Sequence, residues 1–282
     1  MKYLAACGYI FFTAISFVFL DKIIAHIDQL VALSVMSICA IVVFNLLNYK
    51  RLIKTYLICW QHWYLFLIMS IALAIDWYTM VTSAQKSDPF VAMSALFIAL
   101  SLVGFVKEFI TKQRYSYLIS CGLLIVAILV LLVAYQVPIG KSTSSGLIYG
   151  AIAGIAFYVY VYSSARLAIK ANLQTIEILA TRFWILLIFS LSLVKFDALL
   201  ALQRNNLVRL VLVSFGALII PIYCNQKSIE KLGVTATAIF ISLVPPVTYV
   251  FYVIVTGQIS IVNTLVCVLI SIALVVPKFM IR

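Results

Sequence analysis

Ten runs of mainly apolar residues, each about 18 to 23 residues long, follow one another along the chain with short polar segments between them. An α-helix rises ~1.5 Å per residue, so a run of this length matches the hydrocarbon core of a bilayer. Of the 282 residues, 66% are hydrophobic and 10% are charged, which is not the composition of a water-soluble domain. We predict an all-α membrane protein with ten transmembrane helices, over residues 3–20, 29–47, 63–84, 89–110, 115–135, 146–165, 174–194, 207–226, 234–256 and 260–278. The first run meets Asp21 and Lys22, so we interpret it as a span and not as a cleavable signal peptide.

The chain also contains an internal repeat, because residues 65–131 align with residues 210–276 without a gap. Polar matches are the informative ones in so apolar a chain, and they are Tyr78 with Tyr223, Ser83 with Ser228, Lys86 with Lys231, Thr111 with Thr256 and Gln113 with Gln258. Five spans per half is an odd number, so the second copy is predicted to run through the membrane upside down relative to the first. We therefore predict two inverted five-helix repeats, 1–136 and 146–282, joined by a Pro-, Gly- and Ser-rich linker at 137–145. Internal symmetry of this kind is typical of secondary transporters, whose site lies between the halves.

The basic residues are distributed unevenly over the predicted loops. Thirteen of the 20 Lys and Arg lie on the side that carries both termini, six lie on the other side, and Arg182 lies within a span. Cytoplasmic loops are enriched in Lys and Arg, so we predict that both termini are cytoplasmic. The same rule accounts for the net charge of +12, and we predict no nucleic-acid partner.

No motif for a metal, a cofactor or a nucleotide is evident. The six cysteines occur singly, without C-x-x-C spacing, and His26 and His62 have no partner at ligand spacing. Gly140-Lys141-Ser142 resembles the end of a phosphate-binding loop, but Tyr135 stands where the first glycine would be. We predict no metal, no cofactor and no ATP-driven transport by this chain.

Helix-breaking and small residues cluster in the second half. Pro221 in the eighth span, and Pro245 and Pro246 in the ninth, are predicted to bend or open their helices near the middle of the membrane, either for packing or to expose backbone carbonyls to a substrate. Gly146, Gly150 and Gly154 are four residues apart, so they form one stripe of the sixth span. Another helix can approach this stripe closely, for packing or as a sliding surface.

Two segments resemble a known family. The sequence from Ser228 to Val247, SIEKLGVTATAIFISLVPPV, is followed by Thr256-Gly257-Gln258 and a last apolar run, and it resembles the second repeat of the EamA-like drug/metabolite transporter superfamily. IEILATRFW, from Ile176 to Trp184, is similar to the segment that opens the second helix of the family's repeat, where an Arg-Phe pair is common. The resemblance implies a ten-helix transporter with inverted halves and an inner cavity lined by helices 1, 3, 4, 6, 8 and 9.

The sequence departs from the family's pattern at four positions. Gln113 and Gln258 stand where the family often has Glu, Ser34 stands where the first repeat could carry the Arg, and Leu100 replaces the proline that Pro245 supplies in the second repeat. A mechanism based on the turn glutamates is therefore not predicted here.

Asp76 is the strongest candidate for a site residue. It lies near the middle of the third span, where an ionisable carboxylate costs several kcal/mol unless it is protonated, hydrated or paired. We predict that Asp76 faces the cavity and either takes up a coupling proton or holds a cationic group of the substrate, with Tyr78 beside it. The alternative is a structural carboxylate buried against a tyrosine or a backbone donor.

Arg182 is the one basic residue deep within a predicted span. Glu177 lies five positions earlier, a spacing that does not stack side chains on one helix face, so Arg182 is predicted to reach another helix. The family often has Arg at this position, and we favour a structural or gating role for Arg182 and Glu177.

Further polar and aromatic residues within the spans are candidates for the cavity wall, because polar atoms facing lipid are costly. They are Thr13, Ser94, Tyr158, Tyr162, Tyr223, Asn225, Ser242 and Tyr249. For each of them helix packing or interfacial anchoring is the alternative.

We predict a secondary transporter of the bacterial-type inner membrane, either a monomer or a homodimer. Its substrate is predicted to be a small organic metabolite, an amino acid or an amino-acid-like compound, moved outward by alternating access and coupled to protons or to the substrate's own gradient. Uptake or exchange, and a lipid or lipid-sugar flippase, are the alternatives. Asp76 has no His, Cys or second carboxylate at motif spacing, so an enzyme is not predicted.

Overall fold

The computed structural model describes residues 3–24, 27–87, 89–112, 114–136, 142–200 and 202–279. Within these ranges the chain forms helices and contains no β-strand. The α-helices are α1 (Leu4–Ile24), α2 (Gln29–Leu47), α3 (Leu52–Gln61), α4 (Trp63–Lys86), α5 (Pro89–Lys112), α6 (Tyr115–Gln136), α7 (Ser142–Ala171), α8 (Thr175–Thr181), α9 (Trp184–Leu193), α10 (Phe196–Leu200), α11 (Arg204–Val213), α12 (Ile220–Leu232), α13 (Val234–Ile241), α14 (Val244–Thr256) and α15 (Ile261–Phe279). A 3₁₀ turn covers Tyr49–Arg51, and a π-helical segment covers Ser214–Ile219.

Eight helical stretches of the described chain are long and apolar enough to cross a membrane. They are Gln29–Leu47, Trp63–Lys86, Phe90–Lys112, Tyr115–Ala134, Ser145–Ala171, Thr175–Leu193, Arg204–Leu232 and Val234–Thr256. Two shorter apolar stretches, Leu4–Val18 and Ile261–Pro277, lie near the ends of the described chain. The protein is an all-α membrane protein, as the apolar runs predict.

Helix ends follow local sequence signals. The Asp28 side chain accepts hydrogen bonds from the backbone N–H groups of Leu30 and Val31 and caps α2. Gly233 and Gly257, with φ of 82° and 68°, end α12 and α14 in the left-handed region that favours glycine.

Three of the long stretches of the second half are interrupted, and two of the interruptions lie next to prolines. The stretch Val234–Thr256 is divided into α13 and α14, and Pro245 and Pro246 lie in the first turn of α14, where their missing N–H groups are not needed. The predicted opening at these prolines is confirmed. Pro221 lies in the first turn of α12, which follows the π-helical segment directly, and α8 and α9 are divided at Arg182 and Phe183.

Three connections predicted as loops contain helical residues, and one of them, between α9 and α11, contains α10. α3 lies between α2 and α4, and its Ile53, Leu57 and Trp60 are exposed, as in helices that lie along a membrane surface. α7 begins at Ser142, so residues 142–145 of the predicted linker are helical, whereas 137–141 lie outside the described residues, as does Gln113.

Helices that are distant in sequence pack against one another to form the bundle. α7 lies along α4 and α5, while α1 lies along α12, α13 and α14. α2 packs on α9, and α6 packs on α15 at the other end of the bundle. The glycine stripe of α7 faces α4 and α5. A Cβ atom added at Gly154 would lie 2.1 Å from the Leu96 carbonyl oxygen, and one at Gly150 would lie 2.8 Å from the Ala95 Cβ. The predicted close approach at this stripe is confirmed.

Candidate functional site

A small cavity lies in the middle of the bundle, between helices of both predicted repeats. Its wall is formed by residues of α1, α4, α5, α7, the π-helical segment and α12, namely Tyr9, Thr13, Phe17, Leu73, Asp76, Trp77, Met80, Met93, Leu96, Phe97, Phe157, Tyr160, Ala217, Pro221 and Ile222. The cavity leaves about 30 Å³ for the centres of water-sized molecules. One water needs roughly 10–15 Å³ on this measure, so in this conformation the cavity has room for a few waters at most and none for a metabolite. The ninth span, predicted to line it, contributes none of these residues.

Asp76 lies in the middle of α4 and faces this cavity. Its side chain is buried, with 4% of the residue exposed, and its Oδ1 has no hydrogen-bond partner among the described residues. Tyr9 and Tyr160 are close enough to Asp76 for electrostatic interaction. A carboxylate without a cationic partner in a bundle of this kind is costly, so a proton or a cationic ligand would stabilise it.

Tyr78 does not share the cavity with Asp76, which corrects the predicted neighbour relation. Residues two apart on an α-helix differ by about 200° in direction, so the two side chains point to opposite sides of α4. The Tyr78 ring packs edge-on against Phe189 of α9, with ring centroids 5.3 Å apart. The neighbours of Asp76 in the cavity wall on α4 are Leu73, Trp77 and Met80.

Arg182 is fully buried at the break between α8 and α9, and it reaches other helices, as its spacing from Glu177 predicts. Its Nη1 donates to the Tyr160 hydroxyl on α7 and to Oε1 of Gln226 on α12, the second contact being 3.4 Å long. Its guanidinium lies over the Tyr160 and Phe183 rings, 5.0 and 5.3 Å from the centroids. Its Nε and Nη2 have no hydrogen-bond partner within the described part of the chain.

Tyr160 links the two buried charges. Its ring forms part of the cavity wall near Asp76, while its hydroxyl accepts the hydrogen bond from Arg182. Ser164 donates to Gln226 Oε1 over 2.7 Å, so Gln226 is held between α7 and Arg182. Asn225 is fully buried beside the Tyr160 hydroxyl.

Glu177 stabilises the start of α8. Its carboxylate accepts a hydrogen bond of 2.7 Å from the Gln174 backbone N–H, which completes a capping box. It also lies 3.5 Å from Arg51, whose side chain is mostly exposed. These contacts place Glu177 at the start of α8 and outside the cavity wall.

Of the other predicted residues, Thr13 and Pro221 line the cavity and Asn225 lies next to it. Tyr158, Tyr162 and Tyr223 do not line it. Tyr158 packs against Gly104 of α5, and the Tyr162 ring lies beneath the Lys107 ammonium and the Arg166 guanidinium. The cavity residues of α7 are Phe157 and Tyr160 because they lie on a different face of the helix.

Three predicted residues are held in helix packing. Ser242 is buried at the α13–α14 break and donates to the Ala238 carbonyl over 2.7 Å. The Tyr249 hydroxyl donates to the Ser260 carbonyl and accepts from the Ser260 backbone N–H, at 2.9 and 2.8 Å, which fixes the start of α15. Ser94 is fully buried on α5 and outside the cavity wall.

Sequence reasoning missed Tyr9, Tyr160 and Gln226. Tyr158, Tyr160 and Tyr162 occur within five residues, and nothing in the sequence distinguishes which of them faces the cavity. Gln226 follows Asn225 in an apolar span, and a polar residue in such a span is a signal that could have marked it as a candidate.

Comparison with known proteins gives the fold alone. A solved structure called "Crystal structure of protein" is similar, with a TM-score of 0.66 and 16% sequence identity over 98% of this chain and 98% of that chain. No protein-family model and no curated protein matches the sequence.

Proposed function

We propose that the chain is a ten-helix secondary transporter that moves a small organic metabolite, an amino acid or an amino-acid-like compound, by alternating access. The observation that carries this proposal is Asp76, a buried carboxylate that faces a cavity between the two halves and has one oxygen without a hydrogen-bond partner among the described residues. A carboxylate in such a place is typical of substrate and proton pathways in membrane proteins. The resemblance to the EamA-like superfamily agrees with this function.

The packing of the helices supports the proposed inverted repeats. When each span of the first half is exchanged with the matching span of the second half, the most extensive helix contacts are preserved. The contact of α4 with α7 corresponds to that of α12 with α1. The contact of α5 with α7 corresponds to those of α13 and α14 with α1, and the contact of α5 with α6 corresponds to that of α14 with α15. The contact of α4 with α9 corresponds to those of the π-helical segment and α11 with α2. A two-fold axis in the membrane plane would produce this pattern.

The cavity wall supports the same symmetry. The sequence repeat aligns Asp76 with Pro221 and Trp77 with Ile222, and all four residues line the cavity. The third and eighth spans therefore present matching positions to the same space. In a repeat transporter the substrate site lies at this kind of interface.

In this proposal both termini lie in the cytoplasm of a cell with a bacterial-type inner membrane, and the substrate is exported. Asp76 exchanges a proton for a cationic group of the substrate, so that its charge is compensated in each state of the cycle. The protein works as a monomer or a homodimer among membrane lipids.

The test is flux in proteoliposomes with a panel of labelled amino acids, with and without a pH gradient. Asp76→Asn should reduce flux by ~10-fold or more and remove its dependence on the pH gradient, because a charged hydrogen-bonding group is lost. Asp28→Asn is the matched control, since Asn caps a helix as well as Asp and residue 28 lies outside the cavity wall. Unchanged, equally pH-dependent flux in Asp76→Asn would remove Asp76 from the mechanism.

A lipid or lipid-sugar flippase is the second candidate, and one feature favours it. A cavity of about 360 Å³ lies beside α1, lined by Ile15, Ser16, Arg209, Leu212, Val213, Gly216 and Ala217. Ala217 also lines the central cavity, so the two spaces adjoin. Lipid movement without solute flux in reconstituted vesicles would favour the flippase, whereas solute flux inward or by exchange would support the uptake or exchange carrier.

A further inference from the structure

Arg182 carries an unused hydrogen-bonding edge. Its Nη1 is occupied by Tyr160 and Gln226, whereas Nε and Nη2 have no hydrogen-bond partner among the described residues. Nε and Nη2 are neighbours on one side of the planar guanidinium, and together they form a fork that matches the two oxygens of a carboxylate. The side chain is fully buried, so bulk water does not satisfy these donors.

The charge of Arg182 is also uncompensated. The ion pairs of the described residues join Arg51 with Glu177, Lys112 with Glu108 and Lys227 with Glu230, and none of them includes Arg182. The aromatic rings of Tyr160 and Phe183 stabilise the cation, but they leave its free edge unpaired. Because an unpaired buried cation is costly, an anionic group that enters this region would be bound strongly.

A second charge of opposite sign, Asp76, also lies near Tyr160 and takes part in no ion pair of the described residues. Asp76 contributes a carboxylate to the cavity wall that Tyr160 also lines, while the Tyr160 hydroxyl bonds to the Arg182 guanidinium. A ligand with an ammonium group near Asp76 and a carboxylate near Arg182 would neutralise both. The remaining wall is mainly aromatic and aliphatic, including Phe17, Leu96 and Phe157, which suits an apolar side chain.

We propose that Arg182 binds the carboxylate of a zwitterionic substrate through its Nε and Nη2 edge, while Asp76 binds the ammonium group. This inference rests on the proposed transport function and names the substrate class of that site. It also replaces the structural or gating role predicted for Arg182. Tyr160 is the positioning residue, because its hydroxyl holds the guanidinium and its ring lines the cavity together with Asp76.

The site must open to admit the ligand, since the cavity now has room for water only. Arg182 lies where α8 ends and α9 begins, and the cavity wall includes Pro221 and Ala217 of the π-helical segment. Breaks of this kind allow half-helices to move separately, and they occur at the substrate sites of transporters.

The experiment is calorimetric binding to the full chain in lipid nanodiscs. The probes are L-leucine, L-phenylalanine, L-methionine and L-serine, each compared with its amide, which lacks the carboxylate, and its N-acetyl derivative, which lacks the ammonium group. For at least one amino acid, wild type should bind the zwitterion ~10-fold or more tightly than either derivative, because each derivative loses one charged hydrogen-bonded pair.

Two variants assign the charges. Arg182→Gln should lower the affinity for the amino acid to that for its amide and leave the amide's affinity within about twofold, since the amide makes no carboxylate contact. Asp76→Asn should lower the amino acid to the level of the N-acetyl derivative instead. Arg182→Lys keeps the charge but lacks the two-donor edge of the guanidinium, so it should give an intermediate affinity for the amino acid. This variant replaces Arg182→Gln in the experiment if Arg182→Gln does not fold.

Two results overturn the inference while transport stands. One is equal binding of an amino acid and its amide by wild type, and the other is an equal loss of both in Arg182→Gln. If proteoliposomes move no amino acid of the flux panel, the proposed function fails and the substrate class fails with it.

Discussion

The two sides of the central cavity are packed in different ways. On one side α7 meets α4 and α5 through Gly146, Gly150 and Gly154, and the backbones are so close that a Cβ at Gly154 would lie 2.1 Å from a carbonyl oxygen. On the other side α1 meets α11 and the π-helical segment around a cavity of about 360 Å³, and a Cβ at Gly216 would lie 3.4 Å from Ser16 Oγ, an ordinary contact. The two regions occupy related places in the proposed repeats.

This difference shows that two helix pairs in matching places of the proposed repeats need not pack equally closely. Small residues at four-residue spacing allow close van der Waals contact between helices, which in lipid is a main source of association. The side without such a stripe keeps free space and a π-helical distortion, and π-helical turns are frequent at functional sites. We expect the glycine side to be rigid and the α1 side to move.

The largest effect is expected for Gly154→Ala, which should lower stability by ~3 kcal/mol or more because the new methyl group overlaps the α5 backbone. The thermal unfolding midpoint of the purified protein is the measurement. Gly122→Ala on α6 is the matched control, since a Cβ there meets nothing within 4 Å. That control should gain up to ~1 kcal/mol from helix propensity. Equal midpoints for the two variants would show that the glycine contact is not tight.

A smaller loss of stability, about 1 kcal/mol, is expected for Ser83→Ala. The buried Ser83 hydroxyl donates to the Gly146 carbonyl across the α4–α7 contact over 2.6 Å, and hydrogen bonds between membrane helices contribute roughly this amount. Ser271→Ala is the comparison, because the Ser271 hydroxyl bonds to Cys267 of its own helix. Unfolding midpoints again decide, and a Ser271→Ala loss as large as that of Ser83→Ala would contradict a specific role for the interhelical bond.

The smallest effect is expected for Gly216→Ala, within ~0.5 kcal/mol of wild type. The added methyl group meets only Ser16 Oγ at an ordinary distance and lies at the edge of the cavity beside α1. A midpoint within a few degrees of wild type would sharpen the comparison between the two sides. A loss close to that of Gly154→Ala would break it.

Much of the fold could be predicted from the sequence. Runs of about 20 apolar residues define membrane-crossing helices because the bilayer fixes their length. Pro245 and Pro246 located the α13–α14 break, and the spacing of Gly146, Gly150 and Gly154 located the close helix contact. The sequence did not reveal α3, because its ten residues are too few to form a span and its apolar positions are exposed.

The candidate site could be predicted only in part. Asp76 was found because a carboxylate in an apolar span is rare enough to be noticed. Tyr78 was adjacent in sequence but lies on the opposite side of α4, and Tyr160 was hidden between two other tyrosines of α7. Which residues share a cavity depends on how each helix is rotated, and composition does not encode rotation.

The sequence by itself determined that this protein is an all-α membrane protein, that Pro245 and Pro246 mark a helix break, and that Asp76 and Arg182 are buried charges, because the cost of polar groups in lipid acts on each segment separately. Only the tertiary structure decided that both charges lie near Tyr160, and that neither has an oppositely charged partner among the described residues. That arrangement depends on contacts between α4, α7, α8 and α12, which are far apart in the chain and meet only when the bundle packs.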